Sequence, residues 1–375
     1  MVKKQRVKII KDIKINLAWI LGVLLSILIA LAAQISSQFI GIKLLGFSKS
    51  PISAIMMAII IGAAIGNIFN ITRTCSAGLK FCASTLLRIG IMFLGIRLSL
   101  TSAGLNTILA IPFVLSAIAA GLLTVKLFGR SLGLSNPLCG LVAVGTSICG
   151  VSAIAATAPM LKANETEISY SIACITVFGM IAMFMYPFLA HFLFSEKPVF
   201  AGIFLGTAIH ETAQVAGAGL MYQSQFNSPE AFDTATITKL VRNLFMILVI
   251  PMVALLYRPQ DDNEKRPNLT SLVPWFIIGF ILMSAIRTIG DLGTRPFGVF
   301  VLEDWENVIG LIKKTAELFL LIAMSAIGAT AAFSNIRKIG FRPFLLGLFA
   351  ASVVGGVTLL AIYFLGDILV AEILN

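Results

Sequence analysis

The segment "GTAIHETAQVAGAG", residues 206–219, sets His210 beside Glu211 in a run of small residues flanked by apolar sequence. The chain has only two histidines, so a proton-exchanging ring next to a carboxylate is a rare local pairing here. A second stretch, "TITKLVRNLF" at 236–245, spaces Lys239 and Arg242 at i and i+3, on one helix face, with Asn243 adjacent. Thr234, Thr236 and Thr238 precede them. A planar guanidinium fork beside an ammonium point charge suits a planar or tetrahedral oxyanion. A third stretch, "GTSICG" at 145–150, offers the hydroxyls of Thr146 and Ser147 between Gly145 and Gly150.

Other chemistries fit poorly. No second His follows His210 at metalloprotease spacing, and a nucleophile–base pair for an intramembrane enzyme is missing. The five cysteines are scattered, without metal-ligand spacing, and read as buried, reduced thiols. No Walker A motif is present, so no ATP-driven step and no cofactor is expected within this chain.

These groups must be positioned by membrane helices. Hydrophobic residues make up 58% of the 375, charged residues 12%, and the mean hydropathy is +0.98. A soluble domain carries about twice that charged fraction. Apolar runs long enough to cross a hydrocarbon core recur at 15–35, 51–68, 79–99, 105–127, 138–161, 168–194, 199–221, 234–257, 272–290, 308–332 and 341–367. The reading is an all-α polytopic protein of about eleven spans in a single transporter domain, 1–375. Runs of this length satisfy their backbone as helices rather than as barrel strands.

The net charge of +11 sets topology and does not indicate nucleic acid. With the N-terminus inside, seventeen Lys and Arg fall on cytoplasmic segments, Lys197 among them. Four fall outside: Lys43, Lys49, Lys162 and Arg295. The linker 258–271 is then cytoplasmic. The connection 291–308, with Trp305, is outside and is expected to lie along the interface. "GAAIG" at 62–66 is expected to permit close helix packing.

Seven basic residues fall within or at the ends of spans. Arg97, Arg287, Lys313 and Lys314 lie near ends and are expected to snorkel. Glu317, expected with Arg88 as a buried charge within the spans, is one turn from Lys313 and Lys314, which suggests a local ion pair. Arg88 is expected to be buried and to need an anion, Glu211 being a candidate. Lys239 and Arg242 either line a cavity or anchor their helix at the outer interface.

A break in the helix at 206–211 would expose N–H groups to an anion and carbonyls to a cation, and 145–150 would break similarly. A continuous helix with polar residues facing neighbours is the alternative. Two echoes bear on this. "GTSICGVSAIAATAPM" at 145–160 matches "GTAIHETAQVAGAGLM" at 206–221, and "SICGVSA" at 147–153 matches "SAIGATA" at 325–331. They suggest inverted repeats, 51–194 and 199–367.

With "GTSICG…SAIAATAP", "HETAQVAGAG" and "KLVRNLFMILVIP", the chain resembles the sulfate exporter family of YeiH-type bacterial inner-membrane proteins, over essentially all the spans. The resemblance implies a multi-pass inner-membrane secondary transporter, distantly related to cation–proton antiporters, with an inverted-repeat architecture. The expectation is export of a small sulfur-containing anion. Lys239 and Arg242 would supply charge, with Gly145, Thr146, Ser147, Gly150, Gly206, Thr207 and Asn243 around it. Glu211 or His210 would carry a coupling proton, with Na+ as the other coupling ion considered. Rivals are a cation–proton antiporter using Glu211 and a passive anion channel. The expected partners are the anion, the coupling ion and the bilayer, with self-assembly left open.

Overall fold

The computed structural model of the protein describes residues 2–44, 53–69, 72–257, 275–292, 296–298, 301–331 and 340–374. The linker expected at 258–271, with Lys49 and Arg295, lies outside the described residues, and every candidate site residue lies within them. No strand occurs among the described residues. In chain order the helices begin with α1 (Val2–Gln38), α2 (Ala54–Ile68), α3 (Thr72–Lys80), α4 (Leu87–Leu94) and α5 (Leu100–Ser131). There follow α6 (Asn136–Ser147), α7 (Val151–Thr157), α8 (Glu165–Phe194), α9 (Pro198–Ala208) and α10 (Thr212–Phe226). The last are α11 (Pro229–Leu244), α12 (Met246–Tyr257), α13 (Trp275–Gly290), α14 (Leu302–Thr330) and α15 (Phe341–Leu374).

The chain divides into two compact units, 1–96 with 290–333, and 97–289 with 334–375. In the first, the small residues of "GAAIG" meet α14 backbone to backbone: a Cβ on Gly66 would lie 2.0 Å from the Ala329 carbonyl oxygen. Two expectations are corrected here. Arg88 is only half-buried, because α4 turns Leu87, Gly90, Ile91 and Leu94 inward and Arg88 lies off that face. Glu317 is also half-buried, off the α14 face that buries Ala316 and Leu320. Neither is a buried charge. Trp305 does not lie along the interface. It sits buried in the first turn of α14, bonded through Nε1 to Asp291 (3.0 Å) and packed over Gly290. "SAIGATA" is continuous α14 up to the helix end at Thr330, with Ala331 its cap, so 325–330 holds no counterpart to the break at 148–150.

Five of the described helical stretches are long and apolar enough to cross a bilayer singly, and α11 with α12, bent by 45°, can make a sixth. Three of these, α5, α8 and α15, cross the second unit from end to end. Their ends are identified by what they touch. At one end, Ser135 donates to Glu167, Gly129 packs on Cys139, and Gly133 lies near Arg342. At the other end, Arg97 pairs with Asp233 (2.5 Å), Lys197 pairs with Asp367 (2.6 Å), and His191 stacks on Phe226 at 3.8 Å. The first end carries Lys126, Arg130, Lys162 and Arg342 with Glu165 and Glu167. The second carries Arg97, Lys197 and Arg287 with Glu196, Glu230, Asp233 and Asp367. Counted over Lys and Arg, four against three, the positive-inside rule expects the first end to face the cytoplasm.

Two expected spans do not cross. After α6 the chain turns at 148–150, with Gly150 at φ +70°, and α7 returns beside it. A Cβ on Gly145 would touch Ile154, and one on Gly140 would touch both Leu161 and Tyr257. A continuous helix would separate residues 140 and 161 by about 30 Å. Likewise α9 runs alongside α11 in the same direction, Gly202 against Ala231 and Thr234, Gly206 against Ala235 and Thr238. The chain then turns at 209–211 and α10 runs back along α11, from the Thr212–Asn243 hydrogen bond (3.1 Å) to Gly219 against Phe232. Residues 136–161 and 198–226 are thus helical hairpins, dipping in from opposite ends of the unit.

The physical reason is local. Each break is flanked by small residues, Gly145 to Ser147 before the first and Gly206 to Ala208 before the second, which let the tips pack closely, and Gly150 supplies the positive φ of the first turn. Two non-crossing segments leave the direction of α11 and later helices as the sequence predicts, but Lys162 and Lys197 exchange sides. Cysteines at 162 and 197 should therefore react with impermeant maleimide from the cytoplasmic and outer faces, respectively. The reverse pattern would restore two crossing spans.

Candidate functional site

The two hairpin tips meet around α11. Lys239 lies ten residues into that helix, about 15 Å from its start. Lys239 and Arg242 are 1% and 0% exposed, so the interface-anchor alternative fails. The ammonium of Lys239 donates to the carbonyl oxygens of Ile148 (2.8 Å) on one tip and of Ile209 (2.9 Å) and His210 on the other. The guanidinium of Arg242 donates through Nε to Ser147 (2.9 Å) and through its terminal nitrogens to Thr146, Thr207 and Ile209.

Thr146, Ser147 and Thr207 carry end carbonyls of α6 and α9, and Ile148, Ile209 and His210 directly follow those ends, where carbonyls have no partners within the helix. Two carbonyl ends, each the negative pole of a helix, converge on two cations. The first sequence echo explains the register. In "GTSI" and "GTAI" the paired threonines, Thr146 and Thr207, both face Arg242 through their carbonyls, and the paired isoleucines, Ile148 and Ile209, both face Lys239. The hydroxyls of Thr146 and Thr207 bond back to Val142 and Ile203, four residues earlier, and so support the helix ends rather than face outward. Gly145 and Gly206 are packing positions. A Cβ on Gly206 would lie 2.6 Å from Thr238 Cβ, so Gly206→Leu should prevent α9 from seating on α11, read as loss of monodisperse protein on size exclusion. Unchanged yield would contradict this packing.

Gly150 brings the tips together: a Cβ there would lie 3.3 Å from Glu211 Cβ. Glu211 and Thr212 are half-buried, at the start of α10. Gln214 holds this turn, accepting from the Glu211 amide (3.3 Å) and donating to the Thr176 carbonyl (3.2 Å). His210 is buried with the Thr146 backbone beside it, at a geometry short of a hydrogen bond for either ring nitrogen. Asn243 donates to Thr212, and its Oδ1 is buried with no hydrogen-bond partner among the described residues, as is the Ser147 hydroxyl. No group of three or more His, Cys, Asp or Glu suited to a metal occurs among the described residues. All five cysteines are buried and free.

The structure thus brings Lys239, Arg242, Thr146, Ser147, Gly150, Thr207, His210, Glu211 and Asn243 into one region. Arg88 and Glu317 belong to the other unit. Sequence reading missed a second polar cluster. Arg97 does not snorkel: it pairs with Asp233, donates to Gln223 (2.9 Å) and lies over the Phe232 ring at 5.2 Å. Asp233, in the first turns of the helix that carries Lys239, was the available signal.

An all-helical membrane protein with paired hairpins over buried cations is the class this fold and site define. The family described as "Conserved hypothetical protein 698" matches residues 21–347, and the chain belongs to it. UPF0324 membrane protein PM1461 of Pasteurella multocida is 34% identical over 308 residues, 80% of this chain and 84% of that protein. UPF0324 membrane protein OB3406 of Oceanobacillus iheyensis is 32% identical over 355 residues, 92% of this chain and 95% of that one. UPF0324 inner membrane protein YeiH of Escherichia coli K12 is 29% identical over 336 residues, covering 86% and 90%. No solved structure matches. The protein is a multi-pass protein of the bacterial inner membrane.

Proposed function

We propose that this protein is a secondary transporter, not an enzyme, and that it carries a small oxyanion, of the sulfate or sulfite kind, out of the cytoplasm. One observation carries the reading: two buried basic side chains, Lys239 and Arg242, lie where the hairpin tips meet, beside one carboxylate among the described residues, Glu211. The helix ends at the tips come in opposite pairs, two carbonyl ends and two amide ends, and roughly cancel. With Glu211 ionised the region carries one net positive charge. A monoanion neutralises it, whereas a cation would double it, at a cost that rises in low dielectric.

A dianion is balanced when Glu211 is protonated as well, so proton coupling follows from the same charge count. Lys239 and Arg242 act mainly through their field, because the carbonyls take all three ammonium donors and all but one guanidinium N–H. Thr212, Asn243 and the first amides of α10 supply direct contacts. The opposed hairpins are the core of an inverted pair, and the wider repeat, 51–194 against 199–367, belongs to this proposal.

The full use of the Lys239 donors favours a second reading, in which the cations only balance charge and Glu211 binds a cation in exchange for protons. Proteoliposome flux separates them. Saturable, pH-coupled movement of sulfate, sulfite, thiosulfate or a small sulfonate is expected. Movement of Na+ or K+ alone would favour the antiporter, and an unsaturable ohmic current would indicate a channel.

A further inference from the structure

The contacts of Lys239 have the form of an ion site. Three backbone carbonyl oxygens, Ile148 from one hairpin tip and Ile209 and His210 from the other, converge on one ammonium, with no carboxylate in contact with it among the described residues. Converging carbonyls from unwound backbone are also how membrane proteins hold monovalent cations in place of their water. We propose that the hairpin tips form a monovalent-cation cage and that the Lys239 side chain fills it as a tethered cation. Transport then needs no Na+, because the charge that joins the tips is covalently attached.

The geometry selects an ammonium. The separations of 2.8 and 2.9 Å are those of N–H···O bonds from a charged donor. Three acceptors match its three N–H groups, and a neutral amine, with two N–H groups, would turn a lone pair towards the third oxygen. The charged and titratable groups around it are Arg242 on the same helix, Cys149 on the first tip, and His210 and Glu211 on the second. None of these supplies a contacting oxygen from its side chain, so the cage is made of main chain and survives loss of the lysine. Truncation at 239 leaves a channel the width of an alkyl chain that ends in the three carbonyls. Its ligand class is a primary alkylammonium, with ammonium and Na+ as smaller occupants.

The test uses full-length protein in detergent. Lys239→Ala should unfold at a lower temperature than wild type, and n-propylammonium or ammonium chloride should restore part of the loss. At about ten times Kd the rise should be a few degrees and should saturate. Choline chloride at equal ionic strength should not restore it. Wild type should respond to none of these salts. Lys239→Met, whose side chain fills the channel without charge, should be destabilised and not rescued. Where Lys239→Ala is recovered poorly, the monodisperse fraction on size exclusion, with and without n-propylammonium throughout purification, gives the same readout.

A Lys239→Ala protein that responds to choline as it does to propylammonium, or to no cation, overturns the cage. Rescue of Lys239→Met to the same extent also overturns it. This thermal arm stands apart from the transport reading. A second arm rests on that reading: wild-type flux should be equal in Na+ and choline media. Sodium-dependent flux would overturn the tethered-cation role, whereas absence of any flux would count against the transport reading alone.

Discussion

Arg242→Ala is expected to yield little folded protein, because one side chain ties the carbonyl ends of both hairpins. It contacts Thr146 and Ser147 on one and Thr207 and Ile209 on the other. A hydrogen bond from a charged donor contributes about 1.5–3 kcal/mol, and a buried carbonyl left unpaired costs about 1–3 kcal/mol. Four such contacts do not add independently, yet a loss of about 5 kcal/mol or more is expected, comparable with the whole stability of a typical domain. Arg242→Lys keeps the charge and can reach fewer carbonyls, so it should fold with an intermediate loss. Thermal unfolding in detergent measures both. Direct contact with the substrate, which the sequence alone suggests, would instead give two stable variants with anion affinity lowered by about 10- to 150-fold. Stable Arg242→Ala protein would therefore return the guanidinium to the substrate.

The second large effect concerns Glu211. Wild-type dianion transport should rise as the pH falls on the loading side, because the dianion is balanced only when Glu211 holds a proton. The sign follows from co-binding: protons are taken up with the dianion, so more protons favour the loaded form. Where the protonated form is scarce, the slope approaches about tenfold per pH unit. Glu211→Gln fixes the neutral state, and flux should become flat with pH at or above the wild-type low-pH level. Retained pH dependence in a folded Gln variant would transfer the proton to His210, buried beside Thr146.

Much of this was legible in the sequence, and the reasons are physical. Apolar runs reveal membrane helices directly because lipid solvates them, and the asymmetry of Lys and Arg carries their orientation. The tips were legible because small residues around His210 and Ser147 mark places where a helix can break. Re-entry was not legible. The pattern from 138 to 161 has the length of a crossing helix, and only tertiary contacts such as Leu161 on Gly140 show that it doubles back. The burial of Lys239 was half-legible. Its spacing from Arg242 put both on one face, but the acceptors are backbone carbonyls, which carry no signature in residue type. Arg88 misled for the converse reason: an apolar neighbourhood in sequence is not burial when the side chain lies off the packed face of α4.

The central claim is that the meeting point of the hairpin tips is an anion site with an excess positive charge. Charge displacement on a solid-supported membrane carrying the reconstituted protein tests it most directly. A jump in sulfate or sulfite at constant cation should give a saturable transient current that vanishes in a folded Lys239→Met protein and persists in a folded Arg242→Lys protein, which keeps the charge, while a jump in Na+ or K+ at constant anion should give none. A transient on the cation jump alone, abolished by Glu211→Gln, would contradict the account and assign the site to a cation.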